Sequence, residues 1–167
     1  MKDVFEVKRS ADGDDVLKSL NGQFKKIIDV TDATYQVDDA DTGAIFVLNR
    51  PGGIVVTLPA VEPGLEFEFI VKTTFTGTFS LDSASTDDLF VGALTIQADD
   101  AQDESFLAIP DVSDDDKMVM DADTKGRLVG GTFKCVGIST PNSSAAAAWY
   151  ISGVTHGTGA TLASPFA

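Results

Sequence analysis

The chain is expected to fold as an all-β protein. The form expected is an antiparallel β-sandwich, jelly-roll-like or a partly closed barrel, preceded by an N-terminal arm that carries a short helix. Three observations lead there. The 167 residues hold 21 Asp but only 5 Glu, and Asp belongs to turns and caps where Glu belongs to helices. Fifteen Gly and 11 Phe accompany many Val, Ile and Thr, the composition of short strands joined by tight turns. About ten short apolar segments follow one another with turn signals roughly every 8 to 12 residues, and none alternates with a long helix.

Residues 1–24 form the expected arm. Val4, Phe5 and Val7 make a small apolar cluster. Asp12, Gly13, Asp14 and Asp15 then precede Val16, Leu17, Leu20 and Phe24, whose spacing fits one helical face with Asp at its start. Gly22 limits that helix. A solvated tail has no use for Val4, Phe5 and Val7, so the arm is expected to dock on a neighbour. Val4, Phe5, Val7, Leu17, Leu20 and Phe24 are the candidate interface residues.

Residues 25–155 form the expected sandwich. Strands are predicted over Lys26–Thr31, Thr34–Val37, Ala44–Asn49 and Ile54–Leu58, with Asp38 to Gly43 as a turn and Pro51-Gly52-Gly53 as a breaker. Leu65–Lys72 has the cleanest alternation: Leu65, Phe67, Phe69 and Val71 on one face, Glu66, Glu68 and Lys72 on the other. Thr78–Leu81, Leu89–Gln97, Ser105–Ile109 and Lys117–Met120 follow. Arg127–Ile138 is longer, with Gly130-Gly131 bending or bulging it. Ala146–Val154 closes the fold, with Trp149 in the core and Tyr150 outward. Residues 156–167 read as a small polar tail, apart from Leu162 and Phe166. No internal repeat is evident.

Charge and chemistry exclude several function classes. With 26 acids against 12 bases the net charge is −14. Phosphate backbones and anionic membrane surfaces select Lys and Arg, so neither nucleic acid nor membrane is an expected partner. The single cysteine, Cys135, rules out an internal disulfide and sits in a strand pattern as a buried, inert thiol. Residues 1–10 contain no apolar signal core, so a product made in the cytoplasm is expected.

His156 is the only histidine, and no nucleophile-elbow sequence accompanies it. Zinc sites built on two His or on several Cys are excluded by count. Asp121, Asp123 and Gly126 resemble the start of a calcium loop, but Lys125 and Thr132 stand where ligands are wanted. Calcium held loosely between Asp114–Asp116 and neighbouring loops is the alternative to plain solvated acids. Glu66 and Glu68 on one outer strand face read as solubilising. Asn142-Ser143-Ser144 is a formal glycosylation sequon. No catalytic residue, cofactor or metal is expected, and the chain is not expected to be an enzyme.

The run Thr34 to Asn49, TYQVDDADTGAIFVLN, resembles a segment of tailed-phage structural proteins. So do the pieces that follow it: Gly52-Gly53, then Val56-Thr57-Leu58-Pro59, then Pro63-Gly64 before Leu65–Val71. The closing strand Trp149-Tyr150-Ile151-Ser152-Gly153-Val154 is similar as well. The likeness is to capsid decoration, or head-associated, proteins of marine tailed bacteriophages. It covers Thr34 to Val71 and the last strand, and it is a packing and turn pattern with no catalytic signature.

The resemblance implies a β-sandwich displayed on the outer capsid surface of a virion. There it would bind the major capsid protein, associate with itself as a homotrimer and stabilise the shell by bridging capsomers. The alternative expectation is a tail or fibre-associated module that binds host surface glycans, with Tyr150 or Phe75 stacking on sugar.

Overall fold

The computed structural model describes residues 25–99, 104–139, 147–159 and 161–167, together with the backbone of residues 5–9 and 15–19. Thirteen strands are present among them. They are β1 (Phe5–Arg9), β2 (Asp15–Ser19), β3 (Ile27–Val30), β4 (Thr34–Gln36), β5 (Ile45–Leu48), β6 (Ile54–Thr57) and β7 (Glu66–Val71). Next come β8 (Phe79–Asp82), β9 (Phe90–Ala98), β10 (Ser105–Ala108), β11 (Lys117–Met120), β12 (Leu128–Ser139) and β13 (Ala147–Gly157). The all-β expectation therefore holds, and every strand predicted from Lys26 onward has a counterpart.

Two features of the expected fold are corrected. The first is the arm helix: Asp15–Ser19 is the strand β2, paired antiparallel with β1. The register joins Val7 to Leu17, Glu6 to Lys18 and Arg9 to Asp15, residue types that favour each other across a strand pair. The Asp12-Gly13 pair falls between the two strands in sequence, where it is a hairpin signal as much as a helix start.

The second correction is the strictly antiparallel pairing. A seven-stranded sheet runs β10-β9-β13-β12-β7-β5-β3, and a four-stranded sheet runs β11-β8-β6-β4. From β3 to β8 the chain alternates between the two sheets at every strand. Neighbours within each sheet are therefore parallel: β3 with β5, β5 with β7, β4 with β6, and β6 with β8. This is a coil of successive turns, with each crossover made by a strand of the opposite sheet where an α-helix would be usual. Beyond it the pairing is antiparallel for β9/β10, β8/β11, β12/β13 and β7/β12, and parallel only for β9/β13.

The coil hides from the sequence because its turns differ in length. Ile27, Ile45 and Glu68 occupy equivalent places, 18 and then 23 residues apart. Along β5, β6 and β7 burial alternates residue by residue, since only one face of each sheet meets the other sheet, although β5 is apolar at all four positions.

The core lies between the sheets. One row of registered residues crosses the whole larger sheet: Ile28, Phe46, Phe69, Phe133, Gly153, Leu94 and Ala108. Phe46 and Phe69 stack at 5.3 Å, and Phe75 stacks on Phe79 at 5.0 Å. Trp149 is fully buried against Phe67, with ring centroids 5.7 Å apart. Each such side chain contributes about 1.5–3 kcal/mol through burial. Gly153 is required by closeness, since a Cβ there would lie 2.5 Å from Phe133 Cα. Residues 165–167 return to the smaller sheet: Met118 and Phe166 form an antiparallel bridge, and Lys117 and Ala167 exchange backbone bonds of 3.1 Å.

Candidate functional site

The groups that carry chemistry in other proteins have ordinary structural partners here. His156 Nδ1 lies 3.3 Å from the Val129 carbonyl oxygen, at the bulge where β12 shifts register between Leu128 and Thr132. Gly130 and Gly131 make that bulge, as the sequence predicts. Cys135 is fully buried, and desolvation pushes its thiol pKa far above the usual range. Ser80 donates to Asp82 on the same strand face.

Four of the loop acids, Asp111, Asp115, Asp121 and Asp123, have partners within the chain. Asp121 pairs with Lys125 at 3.1 Å and Asp123 with Arg127 at 2.7 Å, across the short 3-10 turn Asp123–Lys125. Asp111 accepts from the Ser113 hydroxyl at 2.6 Å and from its backbone N–H at 2.9 Å; these bonds hold its carboxyl below the ordinary pKa. Asp115 accepts from the Asp111 N–H at 2.6 Å. Among the described residues no three His, Cys, Asp or Glu side chains gather in a metal-holding group. Among them, too, no helix is long and apolar enough to cross a membrane.

Glu66 and Glu68 belong to an ion-paired network on the outer face of the larger sheet. Lys25 reaches Glu68 at 2.7 Å, and Lys134 reaches Glu66 at 2.9 Å. Nearby, Lys26 pairs with Asp41 at 2.5 Å. Its carboxylate partner raises the pKa of Lys25, and Asp41 does the same for Lys26. Beside this network Glu68, Thr132, Lys134 and Ser152 border a shallow depression of about 230 Å³. Tyr150 stands on the same face, 42% exposed, with its ring edge over Gly92. Phe75, the other expected sugar platform, is buried in the core, because the turn after β7 folds it inward onto Phe79.

The arm residues Val4, Leu20 and Phe24 lie outside the described residues, as do the side chains of Phe5, Val7 and Leu17 and the sequon at Asn142. Their backbone context is partly defined. Phe5 and Val7 alternate on β1, and Leu17 is the register partner of Val7. The two strands form a sheet of their own.

The sheet edges differ in ways that sequence reasoning misses. The smaller sheet ends at β11, which residues 165–167 cover, and at β4, beside which Asp32 and Asp38 are exposed. The larger sheet ends at β3, which carries Asp29 within it beside the exposed Ile27 and follows Lys25 and Lys26, and at β10. Charged edge strands resist unwanted pairing. Neither β4 nor β10 has a charge within it, and of the two only β10 carries an exposed large apolar side chain. On and after it Leu107 is 58% exposed and Ile109 64% exposed, and Val154 on the same outer face is 44% exposed. The sequence does hold a signal: residues 73–116 contain 11 acids and no Lys or Arg.

Comparison with protein-family models, with curated proteins and with solved structures finds no match to this chain.

Proposed function

We propose that the chain is a structural, non-catalytic protein of a virion that decorates the outer capsid surface and stabilises the shell by bridging capsomers. Its partners in this reading are the major capsid protein and further copies of itself, as a homotrimer. The observation that carries the reading is the division of the chain into a β1–β2 hairpin, which joins neither large sheet, and a two-sheet body with a filled aromatic core. A body plus a separate hairpin suits a protein that bridges neighbours. The acidic loops suit a particle surface, where net charge opposes clumping. The ion-paired carboxylates support a surface role over a reactive one.

Immunogold labelling of intact virions from the source of this sequence tests the reading. Label over the heads is the expected result. Absence of label from every virion surface would overturn it. Tyr150 beside the depression at Glu68, Lys134 and Ser152 favours one second reading, a tail or fibre module that stacks a host sugar on that ring. Label confined to tails, with glycan binding lost in Tyr150→Ala, would put that reading first.

A further inference from the structure

We infer that the open edge at β10 is the receiving site for the β1–β2 hairpin of a second copy of this chain, which adds to the seven-stranded sheet as its eighth and ninth strands. The inference deepens the self-association contained in the proposed function and rests on that reading only there.

Four observations carry it. The first is the state of the edge. Of the four ends of the two large sheets, β10 alone combines an exposed aliphatic side chain with a strand free of charge and uncovered by any described segment. Leu107 and Ile109 sit there, and such an edge is a template for another strand.

The second is the hairpin. A two-stranded sheet is marginal in water unless a third strand or a packed face supports it. β1 and β2 form such a sheet; Phe5 and Val7 alternate with Glu6 and Lys8 along β1, and Val16 and Leu17 of β2 stand opposite Lys8 and Val7.

The third is reach. β2 ends at Ser19 and β3 begins at Ile27, eight residues on, a span of at most roughly 29 Å. β3 lies at the opposite end of the sheet from β10. A strand added outside β10 stands seven spacings from β3, roughly 34 Å at about 4.8 Å each, measured across the sheet. The linker falls short of that path, which disfavours the β10 edge of the hairpin's own copy; a second copy supplies the hairpin without this limit.

The fourth is charge. Glu104 and Asp99 stand at one end of β10 and Asp111 and Asp114 at the other, within a stretch that has no base from residue 73 to 116. Six of the eight cations from residue 25 onward are engaged in ion pairs (Lys25, Lys26, Lys72, Lys125, Arg127 and Lys134), and Arg50 donates to the Gly53 carbonyl. The strands β1 and β2 bring Lys8, Arg9 and Lys18 against Glu6 and Asp15, the cationic balance that this acidic edge accepts.

The test uses the full chain in solution, with no virion, so its failure leaves the labelling result untouched. Light scattering after size exclusion is expected to give a mass that is a multiple of 17.6 kDa. Leu107→Lys and Ile109→Lys, at exposed positions, are expected to return the protein to monomer with unchanged circular dichroism. A zero-length carbodiimide cross-linker, applied to a mixture of ¹⁴N and ¹⁵N copies of the unaltered chain, is expected to join Lys8 or Lys18 of one isotope to Glu104 or Asp111 of the other. This measurement does not depend on any variant folding. A monomer at about 100 μM, an oligomer indifferent to Leu107→Lys, or inter-copy links that avoid Glu104 and Asp111 would each overturn the inference.

Discussion

The rings of Phe69 and Phe133 stack with centroids 5.0 Å apart and planes 17° from parallel. They are registered partners on β7 and β12, the junction where the parallel coil meets the antiparallel half of the sheet. Phe79 approaches Phe133 from the opposite sheet at 6.0 Å. Removing the Phe133 ring opens a cavity at the meeting point of both halves and both sheets. Phe133→Ala is expected to lose about 3–5 kcal/mol in urea unfolding, with an unchanged denaturant slope. A loss under about 1 kcal/mol would mean that the two halves do not depend on this contact.

Gly153 lies beside that ring. A Cβ there would run into the Thr132 carbonyl oxygen and stand 2.5 Å from Phe133 Cα. Both obstacles are backbone, so relief requires breaking the β12–β13 register. Gly153→Ala is expected to unfold the protein or to cost more than about 4 kcal/mol. Gly64, at φ +99, has open space where a Cβ would stand, with nothing within 4 Å. Gly64→Ala is expected to cost only the left-handed backbone penalty, about 1–2 kcal/mol. Circular dichroism melts of the two variants separate crowding from conformation, and equal losses would refute the distinction.

The contrast between these two glycines shows what a sequence can convey. Alternation in Leu65–Val71 marks the buried row of β7, and the Gly130-Gly131 pair marks the bulge in β12. Both are local signals. The parallel order of β3, β5 and β7 is not local: each strand pairs with one that lies beyond a strand of the other sheet, and unequal turns conceal the repeat. The expected arm helix gives way to a strand because the spacing of Val16, Leu17 and Leu20 fits a helical face, and only the register of Asp15–Ser19 with β1 makes that segment a strand. The Glu66 and Glu68 network depends on which strands lie beside β7, and the exposed β10 edge on which strand ends the sheet, information that no single segment holds.

Asp111 offers a pH test. Its bonds from Ser113 lower its pKa from the ordinary 3.8. The folded state thus binds this proton less readily than the unfolded chain does. The resulting stabilisation is present above the ordinary value and is lost as pH falls through the lowered one. Asp111→Asn retains the acceptor without the charge. Its melting temperature is expected to fall below that of the unaltered chain at pH 6, with the gap closing as the pH drops below the lowered pKa. A gap that persists in acid would assign the effect to shape instead of charge.

The other edge of the fold gives the complementary experiment. Residues 165–167 cover β11 as a short extra strand: the Val119 N–H donates to Pro165 O at 2.6 Å, and Lys117 and Ala167 exchange bonds at 3.1 Å. Phe166 also packs near Phe90, with centroids 6.3 Å apart. Removing these three residues uncovers the backbone of β11 and part of the apolar surface around Phe90. A loss of about 1–3 kcal/mol follows from the bonds and buried ring together. Because β11 has no other cover at its outer side among the described residues, the shortened chain is also expected to gain thioflavin-positive aggregates on long incubation. Phe166→Ala keeps the backbone cover and removes only the ring. It is expected to lower stability while leaving aggregation unchanged, and an equal rise in aggregation would show that the ring, and not the strand, guards this edge.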